Sequence, residues 1–296
     1  MPRISTIVVL AVALAAVTGC GANAAPPAAE PQPEPGRYAT VNGLQMYYEV
    51  HGPETGRPLV LLHGAFSGIG VDFAGLIPAL AQNRRVIAVE QQAHGHTADI
   101  DRPLRVEHMA ADTAALLTQL GVTQADVLGY SMGAAVAFTM GVQHPELVHK
   151  LVLVSGGYDD KSTHPGLMEG LQEFKPEMLH GTPFHDYYVA TAPRPEDFPR
   201  LVEKKVDLDR NYPDHPRSAI EALAAPVLLV SGDSDIVRND YMVEFFGLLG
   251  GNVVGDLAGM PDSQLAILPG VSHLGVIHRP ELHTIVPAFL DAPARN

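Results

Sequence analysis

The stretch Ala125–Phe138, "ADVLGYSMGAAVAF", constrains this chain more than any other. A strand-like apolar run stops at one serine, Ser131, and a run of small helix-formers begins at once. Gly129 and Gly133 flank the serine, two residues to either side, giving G-x-S-x-G. Between a strand and a helix this pattern makes a sharp turn that strains the serine backbone and lifts its hydroxyl above the sheet. The flanking positions must be nearly free of side chain, because a Cβ there would strike the neighbouring strand and helix. The helix that starts at the turn also brings a positive dipole end close to any developing negative charge. Ser155 and Ser231 end strand-like runs too, but neither has the glycine pair.

A serine needs a base, and the base needs a group to orient it. In such a turn the chain order is serine, acid, histidine. After the run "APVLLVSGD" (225–233) come Asp233 and Asp235 within "DSDIV"; after "SQLAILPG" (263–270) comes "VSHLGV" with His273. Each follows a strand-like run, so both would lie at the same sheet edge as Ser131. Further buried-strand runs are "PLVLLHG" (58–64), "RRVIAVE" (84–90) and "KLVLVSG" (150–156). Around Asn42-Gly43, alternating residues predict an antiparallel hairpin at one end of the sheet. Helical spacing appears in 106–121, after Ser131, and in the closing "RPELHTIVPAFLDA". Strands alternating with helices predict an α/β architecture: a mostly parallel twisted sheet with helices on both faces. The stretch 157–223 breaks the rhythm. It is polar, rich in Pro, His and Asp, and too long for a plain connection. Weak helical periodicity in "GLMEGLQEFKPEML" and "DFPRLVEKKVDLD" predicts a small helical insertion, a cap over the carboxyl ends of the strands.

These features together resemble the α/β-hydrolase superfamily, over essentially all of residues 37–296. In that family the acid usually closes a G-[DE]-x-D pattern, here Gly232-Asp233-Ser234-Asp235, which implies Asp235, with Asp233 as the alternative. The histidine usually sits in G-x-x-H, here Gly270-Val271-Ser272-His273, which implies His273. His278 and His283 fall on or near the last helix and read as surface residues. Two backbone N–H groups must hold the oxyanion. The resemblance implies Met132, next after the serine, and Ala65, next after a His63-Gly64 pair similar to the family's HG motif. His63 itself reads as structural, and Phe66 reads from its position as a wall of the acyl pocket. One stretch departs from the family. Relatives often carry D-x-R-G-x-G-x-S after a strand, and here "EQQAHGHTAD" (90–99) keeps Gly95 and Thr97 but lacks the Asp and Arg. His94 and His96 there form an H-x-H pair with no third ligand nearby, so no metal is assigned.

The chain has 296 residues, 18% of them charged, and a net charge of −14. A basic nucleic-acid footprint is therefore excluded, and the acidity reads as solubility. The single cysteine, Cys20, excludes an intramolecular disulfide. Residues 1–19 hold Arg3, an apolar run from Ile4 to Val17 that suits a signal peptide better than a membrane span, and then Val17-Thr18-Gly19 before Cys20. This resembles the lipobox of bacterial lipoproteins. It implies lipidation of Cys20 and an exported protein, anchored in the cell envelope on its periplasmic or outer surface. The alternative is an ordinary signal peptide cleaved near Ala22–Ala25. Residues 20–36 are Pro/Ala-rich and read as a linker to the body at 37–296.

A serine at the turn argues against the dehalogenase and epoxide hydrolase branches, which use aspartate there. The resemblance implies a serine hydrolase that cleaves a small-molecule carboxylic ester through an acyl-enzyme, without a cofactor. Lactone, thioester and amide cleavage are near neighbours. A proline iminopeptidase-like activity is a rival, because the cap stretch carries Asp159, Asp160, Glu169 and Glu173. A reading from another class is a non-catalytic receptor on the same scaffold, which would have no need of the full Ser/Asp/His set.

Overall fold

A computed structural model describes residues 36–293. The signal segment 1–19, Cys20 and the linker up to residue 35 lie outside the described residues. The hairpin expected at Asn42-Gly43 is β1 (Arg37–Val41) and β2 (Leu44–His51), paired antiparallel from Arg37↔Tyr48 to Val41↔Leu44. Asn42 and Gly43 have φ of 48° and 82°, the left-handed pair that a two-residue hairpin turn demands. The six apolar runs form β3 (Leu59–Leu62), β4 (Val86–Val89), β5 (Ala125–Tyr130), β6 (Val148–Val154), β7 (Val227–Ser234) and β8 (Gln264–Ser272). One sheet results, in the order β1-β2-β4-β3-β5-β6-β7-β8. The hairpin joins antiparallel through β2 and β4, and all strands from β4 to β8 run parallel.

β3 to β7 are continuously apolar because both faces of the sheet are covered there, whereas the sixth run, β8, is an outer strand that is only partly buried, with Ile267 exposed. Alternate residues point to opposite sides. Val60 and Leu62 belong to a cluster with helices Val106–Gln119 and Met132–Gln143. Leu59 and Leu61 belong to the opposite cluster, with Phe73, Leu80 and Phe289 of helix Leu282–Asp291. Because the central strands are parallel, all their carboxyl ends lie along one edge. Every segment that leaves that edge can meet the others there.

Between β6 and β7 the expected insertion is helical. The "DFPRLVEKKVDLD" stretch is helix Phe198–Arg210, with Phe198, Leu201, Val202, Val206 and Leu208 buried at helical spacing. The "GLMEGLQEFKPEML" stretch is broken: a helix covers only Leu167–Leu171, and a 3-10 turn follows at Pro176–Leu179. Pro176 cannot continue a helix that needs its N–H. A further helix, Pro183–Thr191, was not anticipated; its proline stands at the first helical position, where no N–H is needed.

Candidate active site

Ser131 stands between β5 and helix Met132–Gln143 with φ 54° and ψ −116°, a left-handed position that costs a non-glycine residue about 1–3 kcal/mol. The glycines explain why the turn holds. A Cβ on Gly129 would lie 2.0 Å from the Gly133 carbonyl oxygen, and one on Gly133 would lie 2.0 Å from that of Leu62. These contacts are backbone to backbone, so nothing nearby can give way.

The side chains expected to meet do so. His273 Nε2 is 3.0 Å from Ser131 Oγ, and His273 Nδ1 is 2.8 Å from Asp235 Oδ1. The Asp235 carboxylate also accepts from the Ser155 hydroxyl and from the N–H groups of Gly232 and Val237, both at 3.2 Å. Burial alone would push this carboxyl up. The hydrogen bond and charge of His273, with the Ser155 and Val237 donors, outweigh burial and hold it below the usual carboxylate range. Asp233 turns elsewhere. It is exposed and accepts from the N–H groups of Gly270 (2.8 Å) and Val271 (3.2 Å), and so fixes the start of the loop that carries His273. Tyr130 braces the same loop, its hydroxyl donating to the His273 carbonyl at 2.9 Å. His278 and His283 are exposed.

The loop after β3 is tied down from within. His63 Nδ1–H donates to the Gly64 carbonyl at 2.7 Å, while Nε2 accepts from the Gln91 N–H at 3.1 Å. His63 is thus a buried strut between two loops. Asp72, fully buried, accepts from the Gly64 N–H (2.8 Å) and the Ser67 hydroxyl (2.7 Å), and burial pushes its carboxyl up. Ala65 and Met132 line the same cleft as Ser131 and His273. Neither of their N–H groups has an acceptor among the described residues. Phe66 does not line the cleft; it stacks on Phe174 of the cap at 5.7 Å.

The atypical loop after β4 is ordered by Glu90 in place of the missing Asp and Arg. Its buried carboxylate accepts from the Tyr187 hydroxyl of the cap at 2.6 Å, from the His96 N–H at 2.6 Å and from the Ile69 N–H at 3.3 Å, and it pairs with His96 Nδ1 at 2.9 Å. Burial would raise this carboxyl, and the His96 and Tyr187 hydrogen bonds more than reverse that. His96 rises in turn. Gly95, at φ 50°, is required twice over, since a Cβ there would lie 2.3 Å from the Glu90 carboxylate. His94 points away from His96 and packs beside His63 at 5.0 Å between ring centroids; burial pushes it down to about 3, so it stays neutral. Among the described residues, no group of three or more His, Cys, Asp or Glu could hold a metal ion.

The cleft over Ser131 has a volume of about 80 Å³, well below the roughly 300–1,000 Å³ of sites that enclose drug-sized ligands. The cap supplies much of its wall. Of the four cap acids singled out in the sequence, Asp159 and Asp160 line it, and Glu169 and Glu173 are exposed elsewhere. Lys205, Asp209 and Tyr212 line it as well, and no local sequence signal pointed to them. Ser155 and Asp72 were also missed, because each acts on a residue that only the fold brings near.

The family model of the alpha/beta hydrolase fold matches residues 57–211, just over half of the 296-residue chain. The chain is 33% identical to the putative carbamate hydrolase RutD of Caulobacter vibrioides over 119 residues, 40% of this chain and 44% of that protein. It is 32% identical to the 2-hydroxymuconate semialdehyde hydrolase of Pseudomonas sp. strain CF600 over 129 residues, 41% of this chain and 44% of that protein. The match therefore spans less than half the length of these curated relatives. Among solved structures, the meta-cleavage product hydrolase CumD of Pseudomonas fluorescens IP01 superposes with a TM-score of 0.69 at 18% identity, covering 86% of this chain and 97% of that one. The enol-lactonase of Burkholderia xenovorans LB400 gives 0.63 at 18% identity, covering 86% of this chain and all of that one. At such identities the likeness is one of fold.

Proposed function

The chain belongs to the alpha/beta hydrolase fold family, and from that premise we propose that it is a serine hydrolase cleaving a small-molecule carboxylic ester through an acyl-enzyme. The observation that carries the reading is the unbroken relay from Ser131 Oγ to His273 (3.0 Å) and from His273 to Asp235 (2.8 Å) at the mouth of a cleft. Ser131 attacks the ester carbonyl while His273 Nε2 takes its proton. The N–H groups of Met132 and Ala65 receive the oxyanion. Asp235 holds the imidazole with Nδ1 protonated and stabilises the imidazolium. His273 then protonates the leaving alcohol, the Ser131 acyl ester remains, and a water activated by the same imidazole releases the acid. No cofactor enters these steps. The names of the relatives speak of a carbamate, a semialdehyde, a meta-cleavage product and an enol-lactone, so the choice of ester rests on the sequence reading and is tested directly.

The test is hydrolysis of a chain-length series of p-nitrophenyl esters by residues 37–296, beside Ser131→Ala. Turnover that falls at least about 10³-fold in the variant, with an unchanged melting point, supports the reading. Equal turnover in both proteins overturns it.

Export and lipidation at Cys20 form part of the same proposal and rest on the sequence alone. No helix among the described residues is long and apolar enough to cross a membrane. Incorporation of labelled fatty acid in the parent organism, lost on Cys20→Ala, is the expected result; incorporation that survives the change excludes Cys20 as the site.

A further inference from the structure

The cap carries a charged pair into the cleft. Lys205 and Asp209 lie one turn apart on helix Phe198–Arg210, form an ion pair, and line the same cavity as Ser131 and His273. Each is only 9% exposed. A buried ion pair is a weak source of stability, because desolvation cancels most of its attraction. Its bonding is also incomplete. Lys205 has three N–H donors and makes one hydrogen bond, to Asp209, while its ammonium also lies over the Phe66 ring at 6.0 Å; the second Asp209 oxygen has no hydrogen-bond partner among the described residues. The same cavity is lined by the apolar Met168, Leu171, Leu208, Ile236 and Val237 and by the polar Ser162, Thr163 and Tyr212. An ammonium and a carboxylate with hydrogen-bonding capacity left over, in a cavity they share with a nucleophile, form a place for a polar group on a ligand.

The sign of that group follows from the pair. A substrate carboxylate reaching Lys205 would sit against Asp209, and a substrate ammonium reaching Asp209 would sit against Lys205. The other acids of the cleft do not change this. Asp159 already accepts from the Lys161 N–H at 3.0 Å and faces the Lys161 ammonium at 3.6 Å, while Asp160 is exposed to solvent. A neutral group that both donates and accepts can use Lys205 and Asp209 together without parting them. We propose that Lys205 and Asp209 form a subsite for a hydroxyl or amide carried by the substrate, so that the protein selects hydroxylated or amide-bearing esters over plain, anionic or cationic ones. This deepens the ester-hydrolase reading and rests on it for turnover only, since the subsite acts on binding.

The test uses matched esters bearing a methyl, hydroxyl, carboxylate or ammonium terminus, placed first on the acyl chain and then on the alcohol. Wild-type protein gives kcat/KM. Ser131→Ala protein gives equilibrium affinity for the uncleaved esters by calorimetry, a readout that survives if the nucleophile assignment fails. The expected result is a roughly tenfold preference for hydroxyl over methyl in one of the two series, the worth of about one charge-assisted hydrogen bond. Both charged termini should bind less well than hydroxyl. In Lys205→Met/Asp209→Leu, which replaces the pair by apolar groups of similar size, the hydroxyl-to-methyl ratio should fall to about one. The proposal is overturned if methyl equals or beats hydroxyl in both series, if either charged terminus binds best, or if the double variant keeps the preference. Should that variant fail to fold, the order of the four termini on unaltered Lys205 and Asp209 decides alone. Selective binding without turnover would count against the serine mechanism and for the subsite.

Discussion

The carboxyl edge of the sheet and the cap sit against one another, yet they are held in place by different means. At the edge, backbone geometry sets the positions, and the side chains of Asp233, Tyr130 and Ser155 pin what it places. Ser131 is turned by glycines that leave no room for a Cβ, and Asp235 is fixed by two N–H groups of its own loop. Parallel pairing from β5 to β8 brings Ser131, Asp235 and His273 to one side. The cap is fastened mainly by its side chains, beyond a short backbone tie at its start, where the Arg238 N–H donates to the Ser162 carbonyl at 2.8 Å and the His164 N–H to that of Ile236 at 3.2 Å. Tyr187 reaches Glu90, Lys204 reaches Asp99 at 2.7 Å and the carbonyls of Ile100 and Arg102 at 2.8 Å, and Asp207 reaches Arg105 at 2.7 Å. Backbone fastening allows few substitutes. Side-chain fastening can be rewritten residue by residue while the body stays as it is, which suits the region that shapes the cleft.

If this division is right, damage at the edge should strike chemistry or folding, and damage to a cap fastening should strike binding. Asp235→Asn should have the largest effect, a loss of roughly 10³–10⁴-fold in kcat on p-nitrophenyl esters, because the imidazole loses both its orienter and the charge that stabilises it. A loss below about tenfold would remove Asp235 from the relay. Gly133→Ala should come next. It sets a Cβ 2.0 Å from the Leu62 carbonyl and 2.7 Å from that of His63, at a cost of about 3 kcal/mol read from the urea midpoint. Unchanged stability would show that the turn can relax after all. Tyr187→Phe should have the smallest effect. It removes one of the donors to a buried carboxylate, costs about 1–2 kcal/mol, and should raise KM while leaving kcat within twofold. A kcat loss as deep as that of Asp235→Asn would erase the distinction between edge and cap. The clamp has a pH signature as well. Glu90 is held below its ordinary 4.5, so it contributes fully above that value and is lost as pH falls through the lower folded value. Wild type and Tyr187→Phe should therefore converge in stability under acid.

The same division decides what could be read in the chain beforehand. The hairpin, the five buried strands and the turn at Ser131 have local signatures: Asn-Gly, continuous apolar runs, and paired glycines; β8 carries such a run too, yet it is a partly exposed outer strand. Asp235 was separable from Asp233 only through the family's G-[DE]-x-D pattern, and the two carboxylates do part, one toward His273 and the other toward Gly270 and Val271. Ser155 and Asp235 are 80 residues apart, and Tyr187 and Glu90 are 97 apart. A serine or tyrosine that meets its partner across such distances leaves no periodicity behind. The helix Pro183–Thr191 was missed for a related reason: it buries only Tyr188, so it lacks the apolar stripe by which helices are recognised.

The strand order has a mechanical consequence. The chain enters the sheet through β1, which holds an outer edge and pairs with β2 alone. A pull arriving at Arg37 meets the rungs from Arg37↔Tyr48 to Val41↔Leu44 and the core packing of Ala39 and Val41. The strand that leads into Ser131 lies beyond β2, β4 and β3 in the sheet, so tension applied at residue 37 would peel the hairpin before any of it reached the nucleophile turn.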